Sequence, residues 1–132
     1  MNRVRALRSK AGIVAGSTLL AGIGLGVAAT PAHAAYSDCE SGEICFYTGD
    51  DGTGKMCAWD GNDSDWRNGA VRCSWAADNN VRSVYNNGTS GKAVVYYSGA
   101  NHENRKGCTT QGKKGNLAGT YKLRSHKWVN NC

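Results

Sequence analysis

The chain has 132 residues, 16 Lys and Arg against 10 Asp and Glu, and a formal charge of +6. That length suits one domain rather than two. The charge would suggest a polyanionic partner if it were spread along the chain, but four of the basic residues (Arg3, Arg5, Arg8, Lys10) sit in the first ten positions.

Those residues open a secretory leader. A positive start is followed by an uncharged stretch, Ala11 to Ala29, built from Ala, Gly, Val, Leu and Ile. Pro31 and Ala32-His33-Ala34 then supply a helix breaker and a small-x-small cleavage pattern, so the predicted cut lies between Ala34 and Ala35. The alternative is a permanent membrane anchor; the Gly and Ala content and the adjacent cleavage pattern favour removal. The predicted mature chain, residues 35–132, has 12 basic and 10 acidic residues, a net +2, which removes the case for nucleic-acid binding. No membrane segment remains after cleavage, and a secreted, extracellular monomer is expected.

Charge within residues 35–132 is uneven. Residues 35–80 carry nine acids and three bases, whereas 81–132 carry one acid and nine bases. Either half could steer an oppositely charged partner, or the halves could attract each other. Ile, Leu, Val and Phe total only ten, so the four Trp and six Tyr must supply much of the core. Six cysteines follow the predicted cut: Cys39, Cys45, Cys57, Cys73, Cys108 and Cys132. In a small exported domain they read as three disulfides, each worth about 2–4 kcal/mol. A zinc site lacks the short cysteine spacing it needs. Fifteen pairings are possible; pairing of sequence neighbours would give Cys39–Cys45, Cys57–Cys73 and Cys108–Cys132.

In chain order, short β-rich runs alternate with turn clusters. Strands are predicted at Glu43 to Tyr47, with Ile44 and Phe46 on one face, and at Lys55 to Trp59. Asp60 to Trp66 reads as a loop or short helical turn. Further strands are predicted at Val81 to Tyr85, before an Asn86-Asn87-Gly88 turn, and at Lys92 to Tyr97. The last is Tyr121 to Ser125, with Tyr121 and Leu123 inward. The chain also repeats: Phe46-Tyr47-Thr48-Gly49 matches Tyr96-Tyr97-Ser98-Gly99, Lys55-Met56-Cys57 matches Lys106-Gly107-Cys108, and Val81-Arg82-Ser83 matches Leu123-Arg124-Ser125. Two such copies, spanning about 43–87 and 92–130, are each too small to bury a core alone and should pack as an all-β sandwich.

These residues resemble a βγ-crystallin double Greek key. In that family a folded hairpin starts with an aromatic strand and closes on a glycine with positive φ. Ile44 to Gly54 fits this layout, and Val94 to Asn104 fits it with Asn104 in the glycine's place. More narrowly, Cys39-x5-Cys45, the aromatic-Tyr-Thr-Gly strand end, Asp78-Asn79-Asn80-Val81-Arg82-Ser83 and Leu123-Arg124-Ser125 are similar to a secreted bacterial peptidase-inhibitor family with this fold, whose type member inhibits metalloproteinases. The resemblance implies a non-enzymatic inhibitor without cofactor whose partner is a secreted protease, blocked at its cleft by a rigid loop. The loop it points to is Cys108-Thr109-Thr110-Gln111-Gly112-Lys113-Lys114, although no second cysteine follows closely to ring it.

Other candidates read as structural. Crystallin-type domains hold calcium through Asn/Asp-Asn/Asp-x-x-Ser/Thr-Ser; Asp78, Asn79 and Ser83 match, but Arg82 stands where a hydroxyl is needed. Thr120 to Ser125 lacks the leading acid pair too, so both sites are expected to be degenerate and no metal is expected. Trp59, Trp66, Trp75 and Trp128 could stack on sugars but suit a core. Asp60, Asp63 and Asp65 are expected to be solvated loop carboxylates, and His102 and His126 lack a nucleophile partner. The rival reading is a non-enzymatic crystallin-type module that binds cell wall, carbohydrate or a toxin-like target.

Overall fold

The computed structural model describes residues 34–132. The predicted leader therefore lies outside the described residues apart from Ala34. Among the described residues, seven strands form two antiparallel sheets: β1 (Glu43–Tyr47), β2 (Met56–Trp59), β3 (Val81–Asn87), β4 (Ala93–Gly99), β5 (Glu103–Thr109), β6 (Lys114–Tyr121) and β7 (Ser125–Val129). One sheet has the order β2-β1-β3-β6 and the other β5-β4-β7. The repeats exchange material: β6, from the second, pairs with β3 of the first, while the Asp63 bridge from the first repeat pairs with His126 on β7.

The core follows from period-two patterning wherever a sheet has an inner face. Ile44 and Phe46 of β1 point between the sheets and meet Val84, Val94 and Tyr96. Phe46 is the hub, with ring centroids 4.8 Å from Trp66 and 5.5 Å from Tyr96 of the opposite sheet. Trp59 stacks on Trp66 at 4.6 Å. Each such fully buried side chain contributes about 2–3 kcal/mol. Cys45 and Tyr47 point the other way, yet are also buried, because residues 34–39 fold over them with Tyr36. The disulfides are Cys39–Cys45, Cys57–Cys73 and Cys108–Cys132.

The two folded hairpins follow the same plan. Asp51, Gly52 and Gly54 take φ of 56°, 74° and 82°, and Asn101, His102 and Asn104, fifty positions on, take 60°, 61° and 62°. Each hairpin is tied down by a buried serine. Gly52 N–H donates to Ser83 Oγ (2.9 Å), which donates to Gly49 O (2.7 Å). His102 N–H donates to Ser125 Oγ (3.1 Å), which donates to Gly99 O (2.6 Å). The non-glycine residues hold a left-handed backbone that is unfavourable for them unless the surroundings fix it; Ser125 fixes His102, while Asp51 N–H donates to Asn116 Oδ1 (2.7 Å) and Asn101 N–H to Ser64 O (2.7 Å).

Two strand predictions need correction. The expected strand Tyr121 to Ser125 is instead the crossing from β6 to β7. Its inward side chains are as expected, with Leu123 fully buried and Tyr121 packed against the core, but residues 122–124 lie between strands. The Asn86-Asn87-Gly88 turn is also displaced. Asn86 and Asn87 continue β3, because Asn86 pairs with Ile44 and Asn87 with Glu43, and the chain turns only beyond them.

Candidate inhibitory loop and the strand-edge cleft

β5 and β6 are edge strands of different sheets, and the chain must cross between them. It does so through residues 110–113, closed by a bond from Lys113 N–H to Thr110 O (3.1 Å). Gly112 sits at the bend with φ of 82°, a backbone most side chains would strain. Thr110, Gln111, Gly112, Lys113 and Lys114 are exposed. Thr109 is not available to a partner: it is buried, and its hydroxyl shares a 2.9 Å hydrogen bond with Tyr96 OH. Cys108 is half-buried and bonded to Cys132, which ties the strand leading into the loop to the chain's end.

The loop has no covalent ring, but Asn86 clamps it. This residue is fully buried at the end of β3. Its amide Nδ2 donates to Thr109 O (2.9 Å) and Lys92 O (3.1 Å), and its Oδ1 accepts from Gly88 N–H (2.9 Å). Its own N–H donates to Lys113 O (3.0 Å), and its carbonyl accepts from Gly112 N–H (2.8 Å). Gln111 adds an outer tie, its side-chain oxygen accepting from Gly91 N–H. One buried residue, through its side-chain amide on one leg and its backbone on the other, thus fixes both legs of the turn, which limits the entropy lost on docking. Sequence reasoning missed Asn86 because Asn-Asn-Gly is an ordinary turn signal.

Beside the loop, β5 and β6 part to leave a cleft of about 390 Å³ lined by Val84, Tyr96, Lys106, Leu117 and Tyr121. Lys106 Nζ lies 5.1 Å from the Tyr121 ring centre, and Lys114 Nζ is the same distance from the rings of Tyr36 and Tyr85. This face is basic. Away from it, two ion pairs among the described residues, Arg82–Asp50 (3.5 Å) and Arg124–Asp65 (2.9 Å), each join a base from residues 81–132 to an acid from residues 35–80.

The remaining candidates are dispersed. Asp78 and Asn79 lie on the connection before β3, while Ser83 is buried and engaged in its hairpin knot. Arg82 reaches Asp50 beside that hairpin. The cluster of possible metal-ligand residues among those described is Cys39, Glu43 and Cys45, and two of these are joined as a disulfide. Asp63 and Asp65 are not solvated as expected. Asp63 accepts from Trp59 Nε1 (2.9 Å), and burial raises its pKa. Asp65 accepts from Arg124 through both oxygens (2.9 and 3.0 Å), which lowers its pKa to about 2. His126 is fully buried, accepting from Trp66 Nε1 at Nδ1 (2.9 Å) with Nε2 2.7 Å from Gly61 O. Burial lowers its pKa to about 4. Trp59, Trp66 and Trp75 are core, whereas Trp128 is only partly covered.

The profile of peptidase inhibitor family I36 matches residues 32–109, more than half of the chain. No curated protein and no solved structure matches significantly. The match takes in both hairpins and ends where the clamped turn begins. The chain belongs to peptidase inhibitor family I36 and is a non-enzymatic inhibitor protein.

Proposed function

We propose that the protein is a secreted inhibitor of metalloproteinases that fills the protease cleft with the turn at residues 110–114. The observation that carries this reading is the Asn86 clamp: one buried residue bonds Thr109 O, Gly112 N–H and Lys113 O, and so holds an exposed turn rigid. A preorganised loop docks without the ordering cost that weakens flexible ones. The metalloproteinase target rests on the resemblance of the hairpins and the Asp78 to Ser83 segment to an inhibitor family of that specificity. Titrating the chain from residue 35 against a thermolysin-like metalloprotease and a subtilisin-like serine protease tests the target. The proposal expects stoichiometric loss of the metalloprotease activity alone; inhibition of the serine protease alone contradicts it.

The proposed fold is a double Greek key of the crystallin type, supported by the exchange of β6 and the Asp63 bridge between sheets and by the matching serine knots. Secretion belongs to the same proposal. The Ala35 N–H already donates to the Asp38 carboxylate (2.9 Å), so a cut after Ala34 would convert it to an ammonium facing an anion. N-terminal sequencing of protein collected from the medium should begin at Ala35.

A further inference from the structure

Three of the four tryptophans are buried in the core, and the fourth is built into a surface. Trp128 is fixed at three points. Its backbone N–H donates to Asn62 Oδ1 (2.8 Å) and its indole N–H to Gly61 O (3.1 Å). Its six-membered ring lies against Gly88, where a Cβ would come within 2.7 Å of it. Gly61 O is in turn 2.7 Å from Nε2 of the buried His126, so the platform is anchored to the core.

Around this ring opens a cleft of about 420 Å³, within the roughly 300–1,000 Å³ usual for small-molecule sites. Its walls carry Asp60, Asn62, Thr89, Ser90 and Lys92, all exposed. The loop from Asp60 to Asn62 also walls an adjoining cleft of about 250 Å³ against Trp59. The side chains of Asp60, Thr89, Ser90 and Lys92 make no hydrogen bond or ion pair among the described residues, so their polar groups are available to a ligand.

A rigid indole ringed by hydroxyl, carboxylate, amide and ammonium groups matches one class of ligand. A pyranose whose hydroxyls are all equatorial has an apolar face of axial C–H groups that stacks on an aromatic ring, while its rim offers donors and acceptors. We propose that the Trp128 cleft binds β-linked oligosaccharides of glucose or N-acetylglucosamine, the second cleft receiving a neighbouring unit. This inference does not rest on the inhibitory reading of the turn.

The test titrates the chain from residue 35 with cellohexaose, chitohexaose and, as a polyol without a pyranose face, sorbitol. Binding is followed by calorimetry and by the NMR signal of the Trp128 indole N–H. Binding of one or both hexasaccharides with a shift of that signal, and no response to sorbitol, is expected. Trp128→Phe should weaken binding about fivefold or more through the smaller platform. Because Trp128 also touches the core, a second variant, Asp60→Ala with Thr89→Ala, removes only exposed groups and should weaken binding about tenfold. Failure of both hexasaccharides to shift the Trp128 signal overturns the proposal, as does undiminished binding by the double variant.

Discussion

The two repeats share a hairpin and a serine knot but differ in everything built around them. The first, residues 43–87, carries the disulfide Cys57–Cys73, one end of Cys39–Cys45 and three of the four tryptophans on or beside its strands, and it pairs with a strand of the opposite sheet through the Asp63 bridge. The second has four full strands, one disulfide to the chain's end, and both strands that border the cleft. The long connection at residues 60–80 replaces a strand with Trp66 and Trp75, which fill the core instead. A duplicated unit has thus divided its labour: the acidic, Trp-rich copy anchors the domain, and the basic copy presents edges and a turn. Of the two ion pairs described, the first, Arg82–Asp50, lies within the first repeat, and the second, Arg124–Asp65, crosses between the repeats. The Arg82–Asp50 pair is mostly exposed and contributes at most about 1 kcal/mol.

If the first repeat is the anchor, its aromatic hub should dominate stability. Trp66→Ala should cost about 3–5 kcal/mol, seen as a large fall in denaturant midpoint with unfolding of both repeats together. Separate transitions for the two halves would break the comparison. Asn86→Ala should come next. It leaves Thr109 O, Lys92 O and Gly88 N–H without their partner and should cost about 3 kcal/mol, while weakening inhibition more than that stability loss explains.

Acid should act on the contact between the repeats. His126 of the second repeat is neutral when folded, with a pKa lowered to about 4 by burial beside Trp66 of the first. The unfolded chain binds that proton near pH 6.5, so stability falls as pH drops from about 6.5 to 4, by roughly 3 kcal/mol over the window. Asp65, lowered to about 2 by Arg124, then removes further stability between about pH 4 and 2. Chemical denaturation at stepped pH checks the sequence, and His126→Gln should flatten the first window. The smallest effects should come from the knots: Ser83→Ala and Ser125→Ala should each cost about 1–2 kcal/mol and, being equivalent, differ little in calorimetry.

What could be read from the sequence follows burial. β1 to β4 show their alternation because each has a face against the core: Ile44 and Phe46 in β1, Val94 and Tyr96 in β4. β5, Glu-Asn-Arg-Lys-Gly-Cys-Thr, is exposed along most of its length at a sheet edge, so no apolar pattern is required of it. β6 does alternate, but two of its half-buried positions are Gly115 and Gly119, which carry no hydrophobic signal. The crossing at 122–124 mimics a strand because Leu123 must fill the core between two sheets. The candidate turn is visible only by resemblance. The clamp that makes it rigid is contributed by Asn86, 24 residues before Thr110, and depends on the strand exchange that brings β3 beside β6.

The central claim is that this clamped turn is the inhibitory surface. The most direct measurement is the inhibition constant against a thermolysin-like metalloprotease for the parent chain, for Thr110→Ala with Lys113→Ala, and for Glu40→Ala in the first half. The turn variant alters only exposed side chains and should leave stability within about 0.5 kcal/mol. It should weaken inhibition by about a hundredfold, as loss of central contacts does, while Glu40→Ala leaves inhibition unchanged. Unchanged inhibition by the turn variant, or equal losses in both, contradicts the account.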